Sequence, residues 1–270
     1  MRRLVELARL AALLVLAGAL AACASIPPGA GSNPADPWEV YNRHMFELND
    51  RVDRVTFKPI AEAYEAALPQ DVRICVNNVF LNLLEPVNAI NNLLQGKPSE
   101  AMSDLSRLLW NSTAGLLGCF DIAAKAGAPR SNEDFGQTLG RWGMGPGPYF
   151  VLPLLGPSSV RDATGRLFDF LGTDPLWYIQ DIPVRNSLVG ARLVDTRASL
   201  LPAERVLEAA ALDRYQFVRD AYLQLRRNLV FDGNPPRLED PYDELDEAPP
   251  APATDPRKPA ADQPSPSSAR

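Results

Sequence analysis

The stretch DPWEVYNRHMFELNDRVDRVTFKP, Asp36 to Pro59, decides the fold class. Trp38, Tyr41, Met45, Leu48, Val52 and Val55 recur at alternating spacings of three and four. That rhythm lays one apolar stripe along an α-helix, whereas a half-buried strand would alternate every second residue. Asp36, Pro37 and Glu39 stand where a helix start wants a cap, a first-turn proline and an acidic third residue. Pro59 closes this helix and opens the next, PIAEAYEAAL, which ends before Pro69.

The same rhythm continues outward. Val72, Cys75, Val79 and Leu83 form another stripe, with helical breaks at Pro86, at Gly96-Lys97-Pro98 and near Gly115 to Gly118. SSVRDATGRLFDFLG reads as a helix capped by Ser158 or Ser159. Val218, Tyr222, Leu225 and Leu229 mark a last helix, stopped by Gly233. Few alternating β-rich runs occur, so the class is all-α, with a folded domain over residues 36–233.

Two stretches do not fit a plain helical bundle. Asn77, Asn78, Asn82, Asn88, Asn91 and Asn92 crowd between apolar positions, although Asn is a poor helix former. They serve either local capping and backbone bonding or a polar face turned toward a wet interior. The second stretch is GMGPGPYFVLPLLGPSS, Gly143 to Ser159: uncharged, with eight Gly or Pro among seventeen residues. It is long enough to approach a membrane span but too broken to be a spanning helix.

The N-terminus reads as an export signal over residues 1–22. Arg2 and Arg3 precede an apolar run, Leu10 to Leu20, that is too short to span a bilayer. Leu20-Ala21-Ala22-Cys23 resembles the bacterial lipobox. That resemblance implies that Cys23 carries a diacylglycerol thioether and becomes the first residue, and Ala24 and Ser25 imply delivery to the outer membrane. A Pro/Gly/Ser-rich linker follows over residues 23–35. Its twelve residues after Cys23 reach at most ~40 Å, which keeps the folded part near the membrane surface. With Cys23 taken by the anchor, Cys75 and Cys119 remain in an oxidising compartment, either bridged or as two small buried hydrophobes. The tail, residues 234–270, holds ten prolines and the acidic run LEDPYDELDE, a composition expected to stay disordered.

The net charge of −6 argues against a nucleic-acid partner. A single histidine, His44, removes the usual zinc motifs and leaves one side chain as a general base. QGKPS lacks the first glycine and the Ser/Thr of a phosphate loop. In GMGPGP the third glycine of a dinucleotide fingerprint is Pro148, and Pro146 and Pro148 offer no N–H to a phosphate. No nucleotide, cofactor, metal or catalytic residue is called for, and the chain reads as a non-enzyme.

EPVNAINNLLQGKPSEAM, NSTAGLLGCFDIAA, EDFGQTLGRWGMGPGPYFVLPLLGPSSVRDATG and DTRASLLP closely resemble the VacJ/MlaA family of outer-membrane phospholipid-transport lipoproteins. The resemblance runs from about Asp36 to Phe231. It implies a helical ring with a central amphipathic channel, lying in the periplasmic leaflet of the outer membrane beside trimeric porins. It further implies a passive role in lipid asymmetry: phospholipids misplaced in the outer leaflet pass through the channel to a soluble periplasmic shuttle resembling MlaC. On that reading Gly143, Gly145, Pro146, Gly147, Pro148 and Tyr149 form a channel loop or hinge, and Asn78, Asn82, Asn88, Asn91 and Asn92 supply a polar lining. Two other functions compete with a conduit. One is a scaffold that only tethers porins, and the other is an envelope hydrolase that would depend on His44.

Overall fold

Helices occupy most of residues 31–236, the part of the chain that this computed structural model describes. The expected signal segment, the Cys23 expected to carry the anchor and the tail beyond residue 236 lie outside the described residues. Helix α1 (Glu39–Val52) passes through one wider turn, Asp53–Phe57, directly into α2 (Lys58–Ala67). Pro59 therefore sits in the first turn of α2, where its missing N–H has little to lose. Next come α3 (Gln70–Leu83), α4 (Glu85–Leu94), α5 (Pro98–Thr113), the single turn α6 (Ile122–Lys125) and α7 (Phe135–Arg141). A hairpin of β1 (Tyr149–Leu152) and β2 (Gly156–Ser159) leads into α8 (Val160–Phe168). The long α9 (Ile182–Ala210) and α10 (Arg214–Val230) complete the described chain. No helix among the described residues is long and apolar enough to cross a membrane.

Three local outcomes differ from the sequence reading. Asp36 does not cap α1. Its carboxylate is fully buried and accepts hydrogen bonds from Asn42 Nδ2 at 2.7 Å, from Arg219 Nη1 at 3.2 Å and from the Tyr215 hydroxyl. The Gly/Pro stretch contains an antiparallel hairpin in which Tyr149 faces Ser159 and Leu152 faces Gly156, so a two-stranded sheet sits within the all-α class. α9 carries no single apolar stripe that marks it in the sequence, and it keeps its helix through Pro202. By contrast Ser159 caps α8 as expected, accepting the Asp162 amide at 3.2 Å.

Packing is arranged inside out. Along α5 the residues turned inward are Ala101, Asp104, Arg107 and Asn111, while Met102, Leu105, Leu109 and Trp110 are exposed. α4 repeats the pattern, burying Glu85, Asn88, Asn91 and Asn92 while exposing Ile90, Leu93 and Leu94. Among the described residues twenty polar or charged side chains are buried against thirteen apolar ones, the reverse of an ordinary soluble core. Buried charges must be paired or they cost several kcal/mol each, and here they are. Arg107 bonds Glu85 at 3.0 Å, Asp121 at 2.8 Å and the Ala128 carbonyl at 2.5 Å, with both Arg107 and Glu85 at zero exposure. Burial still pushes the Glu85 carboxyl upward, against the pull of Arg107 and Arg130.

Further ties of the same kind join distant elements. Buried Asp195 on α9 accepts from Tyr64 of α2 and Asn77 of α3, each at 2.9 Å. Burial and that bond push the Tyr64 hydroxyl up to about 12. Cys75 and Cys119 are joined by a disulfide that staples α3 to the turn after α5. α7 and α8 cross backbone to backbone at Gly136 and Gly165, where a Cβ on Gly165 would lie 2.2 Å from the Gly136 nitrogen.

Candidate functional site

A primary amide carries the same donor and acceptor as a peptide, and three buried or half-buried asparagines use theirs to bind extended chain. Asn42 donates to the Tyr149 carbonyl at 3.1 Å and accepts the Val151 amide at 2.8 Å. Asn49, seven residues further along α1, donates to the Leu152 carbonyl at 2.8 Å and accepts the Leu154 amide at 2.7 Å. Asn88 treats the segment after α6 alike, donating to the Ser131 carbonyl and accepting the Glu133 amide, both at 3.1 Å. Spacing of seven puts Asn42 and Asn49 on one face of α1, so the helix reads β1 from end to end. The hairpin turn, with Leu154 at φ +61°, is thereby fixed in place.

That fixed hairpin closes one side of a cleft of about 530 Å³. α1 contributes Phe46, Asn49 and Asp50, the wider turn adds Asp53 and Phe57, and the hairpin adds Val151, Leu154 and Leu155. α9 supplies Arg197, Leu200, Glu204 and Leu207 across from them, and α10 supplies Arg214, Phe217 and Val218. Leu154 and Leu155 are 61% and 64% exposed, an apolar tip at the edge of the cleft.

The charges in this cleft are matched. Arg197 meets Asp53 with two hydrogen bonds of 2.7 Å and also reaches Glu204. Lys58 holds the other Glu204 oxygen at 3.1 Å. The hydrogen bond to Asp53 raises the Arg197 guanidinium well above its ordinary value, against burial. Burial alone would raise Glu204, but the bonds from Arg197 and Lys58 outweigh it and hold its carboxyl below the usual range. Arg214 bonds Asp50 at 2.9 Å, and Arg54 takes the second Asp50 oxygen at 2.7 Å. The result is an apolar cleft whose facing segments are tied by ionic pairs, suited to an amphipathic ligand.

The residues singled out from the sequence are placed differently. Gly143, Gly145, Pro146 and Gly147 are exposed, Pro148 is half-buried and Tyr149 is fully buried; none of them lines the cleft. The hairpin instead brings Val151, Leu154 and Leu155 there. The asparagines expected as a polar lining do not line this cleft either. Asn82, Asn88, Asn91 and Asn92 are buried within the protein. Asn82 donates to Ser112 Oγ at 2.9 Å, Asn91 to the Val87 carbonyl at 3.0 Å and Asn92 to Asp104 at 2.7 Å. Asn78, half-buried, donates to the Cys119 carbonyl at 3.2 Å. Their polarity balances the inward charges of α4 and α5. The cleft residues were missed because α9, which carries one wall, shows no stripe; Asn42 and Asn49 did leave a signal, seven apart beside the apolar stripe of α1.

Comparison with known proteins agrees with this architecture. The family model described as MlaA lipoprotein matches residues 34–229. The "Intermembrane phospholipid transport system lipoprotein MlaA" of Shigella flexneri is 34% identical over 230 residues, covering 83% of this chain and 89% of that protein. The protein of the same name from Haemophilus influenzae is 32% identical, covering 78% and 84%. A chain solved in work on the structural basis for maintenance of bacterial outer membrane lipid asymmetry superimposes with a TM-score of 0.62 at 33% identity, covering 74% of this chain and 99% of that one. This chain belongs to the MlaA lipoprotein family.

Proposed function

We propose that the chain is an outer-membrane lipoprotein, anchored through Cys23 in the periplasmic leaflet, that removes phospholipids misplaced in the outer leaflet. Its helices would form a ring around an amphipathic passage, beside a trimeric porin, and hand the lipid to a soluble periplasmic shuttle. The inverted helix α5 carries this reading: Met102, Leu105, Leu109 and Trp110 face out while Asp104, Arg107 and Asn111 face in. An outward apolar face can rest in one leaflet. A phospholipid headgroup resists crossing hydrocarbon, where a charged side chain costs about 2.5–3.5 kcal/mol or more, so a route walled by paired charges lowers that barrier without nucleotide hydrolysis. The names of the Shigella and Haemophilus relatives point to the same activity.

The test is phospholipid exposure at the surface of cells that lack the chain. Loss of asymmetry is expected, with rescue by the wild type but not by Leu109→Glu at equal protein level. Normal asymmetry in the deleted cells would overturn the reading.

A further inference from the structure

We propose that Asp50 and Arg214 form a headgroup subsite in the cleft and that this subsite favours zwitterionic phospholipids over anionic ones. The inference rests on the transport reading above and deepens it.

The two ionic pairs of the cleft are not equivalent. Arg197 is saturated, with two bonds to Asp53 and one to Glu204. Arg214 has only Asp50 as an acidic partner, and its buried Nε has no hydrogen-bond partner. A buried donor left unsatisfied marks a place where a partner is expected to arrive. Both side chains of the Arg214–Asp50 pair retain exposure, 26% and 21%, so a ligand can reach their outer atoms, while the Arg214 Nε lies beneath the surface.

The chemistry of the arriving group follows from the charges. A guanidinium that exchanges its one acidic partner takes a phosphate diester. The carboxylate it releases then wants a cation, and a zwitterionic headgroup carries one next to its phosphate. Opening one ion pair in exchange for two new ones leaves no charge unmatched. An anionic headgroup satisfies Arg214 but takes from Asp50 one of its two cationic partners, leaving it only the more exposed Arg54. Beside Arg214, Phe217, Phe46 and Leu154 offer the apolar wall that an acyl chain needs.

The experiment presents the full chain, in detergent micelles, with equal amounts of phosphatidylethanolamine and phosphatidylglycerol bearing a photoreactive acyl chain. Cross-linked peptides are mapped by mass spectrometry. The wild type should capture the ethanolamine lipid in the cleft by roughly fivefold over the glycerol lipid, the ratio given by a half-exposed ionic contact of about 1 kcal/mol. Asp50→Asn should erase most of that ratio. Arg214→Gln should lower capture of both lipids while leaving the ratio intact or wider. Equal capture by the wild type, or the same shift of ratio in both variants, overturns the subsite while the transport reading stands. The wild-type ratio decides this even if a variant proves unstable. No capture in the cleft at all removes both.

Discussion

Asn49 on α1 accepts the amide of Leu154 at 2.7 Å and donates to the Leu152 carbonyl, so one side chain grips both the end of β1 and the middle of the hairpin turn. Leu154 holds φ +61°, a conformation that costs a non-glycine residue about 1–3 kcal/mol and needs outside support. Replacing Asn49 with Leu should lower stability by about 1–2 kcal/mol. It should also speed hydrogen exchange at the Leu154 amide more than at amides of α5. Asn49→Asp keeps the acceptor and should protect that amide better than Asn49→Leu. Unchanged exchange in Asn49→Leu would remove the clamp.

Glycine is needed for space at one crossing and not at another tempting place. A Cβ on Gly165 would meet the Gly136 backbone at 2.2–2.5 Å, so Gly165→Ala must separate α7 from α8. A loss of about 3 kcal/mol or more is expected in denaturant unfolding, the scale of the worst overpacked sites. Gly145 has open space around it and no positive φ. Gly145→Val should fold with nearly wild-type stability, which makes it a clean probe of whether the exposed loop affects lipid transfer.

The Cys75–Cys119 bridge closes a loop with a sequence separation of 44. On the chain-entropy account such a loop is worth about 4 kcal/mol. Replacing both cysteines with Ser should lower the unfolding midpoint by an amount that matches reduction of the wild type. If reductant shifts the double variant equally, the bridge is not the cause.

Acid sensitivity should centre on Asp162. Burial works to raise its carboxyl, but the Arg226 charge and hydrogen bonds, with the Tyr222 hydroxyl, hold it below the ordinary range. A folded value below the unfolded one stabilises the fold above roughly pH 4 and is lost as pH falls through the folded value. Asp162→Asn should therefore cost up to about 3–5 kcal/mol at neutral pH, the range for breaking a buried pair. Its stability curve should also be flatter than wild type below pH about 4. Thermal unfolding across pH checks both.

How much of this was legible follows from which signals are local. The helical class was plain from the three-and-four rhythm of α1, because period depends only on neighbouring residues. The hairpin had a local trace in YFVL followed by Pro153 and Gly156, hidden by the glycines before it. Asp36 was misread because an acid before a proline looks like a cap, while its true partners, Tyr215 and Arg219, lie 179 and 183 residues away. The partners of the α4 asparagines were hidden for a related reason. Periodicity shows that polar residues share a face, but not that α5 answers them with Asp104 and Arg107. The cleft was illegible because its walls come from segments that meet only in three dimensions.

The inverted interior has a thermodynamic outcome of its own. Hydrogen bonds and ion pairs strengthen when water is kept from them, and on this molecule the outward leucines and tryptophans face whatever surrounds it. A hydrocarbon coat would shield the network; bare water would both wet it and strand the greasy exterior. Solubilised protein should thus owe its rigidity to the amphiphile chosen for purification, holding firm in bilayer-like discs and loosening first around Arg107 when the coat is thinned.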